Sequence, residues 1–165
     1  MADLVTHLCT GVIVKTISGK PHVPIFLFGT VAPDLVSRVP SMALTQLGQW
    51  GLPVPPEWVH SFEPLHLPIG ILLLAALVSL FFDAAQRWSV FVNFLGGMML
   101  HLMVDLLQDH HGVGYVLGFP LIDAPFEFGW MSSEASIRWL PVLMTISLGL
   151  VIWRRRKQST GALSR

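Results

Sequence analysis

Runs of apolar side chains, broken by short polar or Pro/Gly-rich stretches, set the outline of this chain. Three runs are strong: 65–82 ("LHLPIGILLLAALVSLFF"), 88–107 ("WSVFVNFLGGMMLHLMVDLL") and 139–153 ("WLPVLMTISLGLVIW"). A helix that crosses a bilayer needs about 20 apolar residues, with roughly 17 as the lower limit. The first two runs reach that length, and the third does so if Ile137 and Arg138 lie at the interface. Two weaker runs, 4–17 and 23–36, are separated by "SGKPH". Each is short for a full crossing, so together they predict a helical hairpin that tilts, thins the membrane locally or enters it partway. The Pro- and Gly-rich stretch 37–64 predicts a loop, as does 112–136 with Gly112, Gly114, Gly118, Pro120 and Pro125. The expected fold class is all-α: a polytopic helical membrane protein with three strong transmembrane helices and a short N-terminal helical hairpin. Residues 1–157 form a single integral membrane domain on this reading, and 158–165 a disordered cytoplasmic tail.

Composition strengthens that picture. Only 12% of the residues are charged and 53% are hydrophobic, whereas a soluble domain carries about 25% charged residues. The formal net charge is zero, which implies no nucleic-acid partner; the lipid bilayer is the expected one. A single cysteine, Cys9, excludes an internal disulfide framework and a Cys-rich zinc site. The opening "MADLVTHLCTG" has no basic region ahead of its apolar stretch, so no cleaved signal peptide is expected. Lys and Arg accumulate on the cytoplasmic side of membrane proteins. Arg154, Arg155, Arg156 and Lys157 follow the last run and predict a cytoplasmic C-terminus. Counting back, Lys15, Lys20 and Arg87 also fall inside, while only Arg38 and Arg138 fall outside. A bacterial inner membrane is the expected location.

The same topology gathers the ionisable residues. His101 and Asp105 are four apart and share one helix face. With His7, Asp34, His60, His66 and the 110–111 histidine pair they fall near one membrane face, the outer one, and His22 is the exception. Ionisable groups inside a bilayer are costly and mark function by default. Imidazole and carboxylate are the ligands of zinc, and also suit manganese or iron. His7, Asp34, His60, His66, His101 and Asp105 are therefore the candidate ligands for a divalent metal, with one position open for water. An acid left uncoordinated, Asp105 or Glu63, would serve as base. The simpler alternatives are a His–Asp pair that only bridges helices, and Glu63 and Asp109 as surface acids. Gly96 and Gly97 predict close helix packing.

These motifs resemble the bacterial inner-membrane family of membrane-bound, metal-dependent hydrolases (YdjM/YbcI-like). The resemblance is carried by "THLCTG" with His7 and Gly11, "GTVAPD" with Asp34, and "HSFEPLHLPIGILL" with His60 and His66. It continues in "GGMMLHLMVD" with His101 and Asp105, and in "GFPL". It covers roughly 5–121 and departs where Asp34 is followed by "LVSRVP" in place of further Asp and His. It implies hydrolysis of an ester by metal-activated water. The His-x-x-x-Asp helix is also similar to a ligand helix of zinc-dependent phospholipase C enzymes, which points to a phosphoester of a lipid or membrane-accessible substrate. The rival expectation is a non-enzymatic membrane protein, either a metal or proton transporter or an accessory subunit docking through "APFEFGWM".

Overall fold

A computed structural model of the chain describes residues 4–19, 22–109 and 114–163. Helix α1 (Leu4–Ser18) turns back into α2 (Val23–Pro33), which continues through a π-helical turn (Asp34–Arg38) into α3 (Val39–Gln49). A short α4 (Pro56–His60) and a 3₁₀ turn (Glu63–His66) lead into α5 (Pro68–Leu80), followed by α6 (Ala84–Leu106). Strand β1 (Gln108–Asp109) pairs in parallel with β2 (Met131–Ser132), which opens onto α7 (Ser133–Leu163).

The all-α class holds, and three helices are long and apolar enough to cross a membrane: Val23–Gln49, Ala84–Leu106 and Glu134–Lys157. This fits a membrane protein. The distribution among the runs differs from expectation in three places. The predicted loop 37–64 is helical as far as Gln49, so the second arm of the hairpin is part of a 27-residue helix. Pro40 falls inside that helix, where a proline ordinarily breaks the hydrogen-bond ladder. Pro33 and Pro40 both lack an N–H, and between them the ladder changes register, with the Val39 N–H bonding Asp34 O. The strong run 65–82 is instead interrupted: Pro56–His66 and Pro68–Leu80 meet at 74°. Gly70 permits that bend, because a Cβ there would overlap the carbonyl oxygen of Pro64. Finally, α7 continues helically to Leu163, so the predicted disordered tail is helical over its described part.

Packing centres on α2 against α6. A Cβ on Gly97 would overlap the Phe26 carbonyl oxygen and stand 2.9 Å from Gly29 Cα, so the two backbones touch. Gly11 lets α1 approach the Thr30 side chain of α2, where a Cβ would lie 2.9 Å from Thr30 Cγ2. Ile71 and Ala75 of α5 join Ala32, Phe94, Met98, Leu102 and Leu106 in the buried core. Helix α7 lies outside this core and clasps α1, through Ser147 to Cys9 Sγ at 3.8 Å and Arg154 to the carbonyls of Lys15 and Thr16. Lys15 is buried, bonds Asn93 Oδ1 at 2.6 Å and sits over the Phe26 ring. The basic end of α7 and Lys15 thus share one end of the bundle, and the histidine cluster occupies the other half.

Candidate metal centre

Three stretches of helix deliver the cluster. Helix α6 carries His101 and Asp105 on one face, the π-turn carries Asp34, and the 3₁₀ turn before the 74° bend carries His66. All four are buried, and one donor atom from each lies within 4.8 Å of the other three. His66 Nε2 is 3.0 Å from Asp105 Oδ2, while His101 Nε2 is 3.4 Å from Asp105 Oδ2 and 3.7 Å from Asp34 Oδ1. This group could hold a metal ion.

The hydrogen bonds around the two imidazoles fix their tautomers. Ser37 Oγ donates to Pro33 O at 2.7 Å, so toward His66 Nδ1, 3.2 Å away, it accepts. His101 Nδ1 lies 2.9 Å from Thr30 O, which can only accept. That carbonyl is available because the Asp34 N–H bonds Val31 O. In the neutral state both Nδ1 atoms therefore carry the proton and both Nε2 atoms present lone pairs, even though His66 Nε2 lies 3.0 Å from Asp105 Oδ2, which can only accept. Yet the two Nε2 atoms face each other at 3.1 Å, beside a carboxylate oxygen. Lone pairs so placed repel unless a cation lies among them. A proton shared between them or a metal ion would relieve that repulsion. A divalent ion, whose ligating histidines typically donate their other ring N–H to an acceptor, fits the arrangement.

His7 enters from α1, fully buried. Its ring stacks on His101 with centroids 3.7 Å apart, and its Nε2 is 3.2 Å from Asp105 Oδ1. Neither nitrogen of His7 has an aligned hydrogen bond, nor do Asp34 Oδ1 and Asp105 Oδ1. These buried polar atoms are what an ion or a bound water would satisfy. His7 thus adjoins the four-donor group through Asp105.

Two sequence-derived candidates lie elsewhere. His60 and Glu63 pair with each other at 2.5 Å, with side chains 67% and 66% exposed. His60 ends α4 and Glu63 opens the 3₁₀ turn, and that turn directs only His66 inward. His60, expected as a ligand, and Glu63, expected as a base, therefore lie apart from the buried four-donor group. Asp109 enters β1 opposite Ser132, and His110 and His111 lie outside the described residues.

Three further participants emerge. Arg38 Nε is 2.8 Å from Asp34 Oδ1 and Nη2 is 3.9 Å from Asp105 Oδ2. Ser37 sets the His66 tautomer. Tyr115, across the 107–114 connection, donates its hydroxyl to Asp105 Oδ2 at 2.8 Å and stacks on His66. Burial, and then the Asp105 carboxylate, push the Tyr115 phenol above its ordinary range, so it remains a donor. Asp34, Ser37 and Arg38 stand at i, i+3 and i+4, a spacing visible in "DLVSR" once that segment is known to be helical. Tyr115, the only tyrosine, had no local signal. Compared with family models, curated proteins and solved structures, the chain matches none.

Proposed function

We propose that this chain is a membrane-bound, metal-dependent hydrolase, with a divalent ion, zinc by preference, held by Asp34, His66, His101 and Asp105. The observation that carries this reading is the pair of Nε2 atoms facing each other at 3.1 Å beside two buried carboxylates, with both Nδ1 atoms already in hydrogen bonds. The ion would supply Lewis acidity toward an ester oxygen and acidify a water. The chain's own proton acceptor is Asp105 Oδ1, backed by His7 Nε2 at 3.2 Å. Tyr115 holds Asp105 Oδ2 in place. The substrate class is an ester, a phosphoester of a lipid or membrane-accessible molecule being what the resemblance implies. Lys15 and Arg154 at the opposite end support a cytoplasmic orientation for that end, a periplasmic one for the site, and a bacterial inner membrane.

Transport is less favoured. Below the cluster, a cation moving through the bundle would have to cross a buried apolar stretch lined by Ala32, Phe94 and Met98. Metal analysis after dialysis tests the proposal. Wild type should retain about one equivalent, and His101→Ala should weaken binding by more than the 10–100-fold typical of an outer-shell loss. Equal, negligible metal in both would refute it.

A further inference from the structure

Arg38 has no place in a cation's ligand set, yet it reaches into the cluster. Its Nε and Nη2 are buried atoms close to Asp34 and Asp105, but neither has an aligned acceptor. The guanidinium is held there by charge and not by directed hydrogen bonds. Its side chain is 23% exposed, against 7% for Asp34 and 0% for Asp105, so it marks the open edge of the cluster.

With both imidazoles neutral, two carboxylates and one guanidinium leave the cluster with a single negative charge. A divalent ion reverses that to a single positive charge, in surroundings where uncompensated charge is costly. The ion also competes with Arg38 for the same two oxygens, Asp34 Oδ1 and Asp105 Oδ2. A guanidinium displaced from them stays tethered at the edge, with a planar fork of donors suited to an oxyanion. A terminal phosphoryl group offers three oxygens, one for the ion and two for the fork. A carboxylate has two and cannot serve both fully.

We infer that Arg38 exchanges its carboxylate partners for the phosphoryl group of a phosphate monoester when the metal site fills. This rests on the hydrolase reading above and narrows its substrate to monoesters. The step is non-covalent: one ion pair is replaced by another. Placed so, Arg38 is a substrate-binding residue and not a support of the metal site.

The test titrates inorganic phosphate into the full-length protein in detergent, zinc-loaded or zinc-free, by calorimetry. Wild type should bind phosphate only when zinc-loaded, and acetate much more weakly. Arg38→Gln should keep zinc at least as tightly as wild type, because a competing cation is gone, and bind phosphate about tenfold weaker or worse, the loss of a charge-assisted hydrogen bond. Arg38→Lys, which keeps the charge without the fork, should fall between and serves if Arg38→Gln does not fold. Competition by nanodiscs of phosphatidic acid, but not of phosphatidylcholine, would assign the monoester to a lipid headgroup; no competition would assign a soluble one. Equal phosphate affinity in wild type and Arg38→Gln, or zinc lost from Arg38→Gln, overturns this inference while leaving the hydrolase reading intact. Wild type without zinc would overturn both.

Discussion

Gly97→Ala perturbs the site without touching a ligand. The added Cβ would overlap the Phe26 carbonyl oxygen and stand 2.9 Å from Gly29 Cα, where ordinary contact begins near 3.4 Å. Neither neighbour is a flexible side-chain tip, so α2 and α6 must part by roughly 1 Å, a gap that forfeits a quarter to a half of each interatomic attraction across it. Overpacking of this kind costs about 1–3 kcal/mol. Thr30 follows Gly29, and His101 lies one turn beyond Gly97, so the same separation stretches the 2.9 Å bond between His101 Nδ1 and Thr30 O. That bond leaves the 2.7–3.2 Å range of a useful hydrogen bond. Losing it frees the His101 ring to rotate and should weaken zinc binding about 10–100-fold. Gly96→Ala is the matched control: its Cβ would meet the Phe26 ring at 3.4 Å, an ordinary contact. Thermal unfolding in detergent and competition with a zinc chelator read the two effects. If Gly96→Ala and Gly97→Ala behave alike in both assays, the contact between α2 and α6 does not position His101 and the reasoning fails.

Ser37→Ala removes the acceptor that fixes the His66 tautomer, and should cost about 10–100-fold in zinc affinity with little change in fold; unchanged affinity would mean that His66 is not a ligand. His60→Ala and Glu63→Gln should leave metal content unchanged and shift stability by less than about 1 kcal/mol, because the pair is exposed. Metal loss in either would return them to the site. Zinc present at about a hundredfold over its dissociation constant should stabilise wild type by about 2.7 kcal/mol. His101→Ala should show no such rise in a thermal-shift titration.

Much of the buried His/Asp cluster is readable because part of its signal is local. His101 and Asp105 share a helix face by spacing alone, and hydropathy with basic residues is enough to predict His7, Asp34 and His66 near the same membrane face. What escaped depends on backbone geometry that side-chain pattern does not encode. The Pro- and Gly-rich composition of 37–64 predicts a loop that takes in Ser37 and Arg38, whereas a change of hydrogen-bond register carries the helix on past Pro40. Tyr115 reaches Asp105 through a connection whose path no periodicity describes. His60 misled for the opposite reason: it is near His66 in sequence, but the short turn between them rotates one imidazole inward and leaves the other outside.

The grip of α7 on α1 has a bearing on how the protein is made. Residue 154 is translated long after residue 15, yet its guanidinium caps the carbonyls of Lys15 and Thr16, on the same helix that brings His7 to Asp105. During synthesis that helix waits beside a bundle still lacking one wall. A nascent chain stopped before its closing segment would hold the four-donor group but lack the capping of α1, so the helix that seats His7 against Asp105 is completed last.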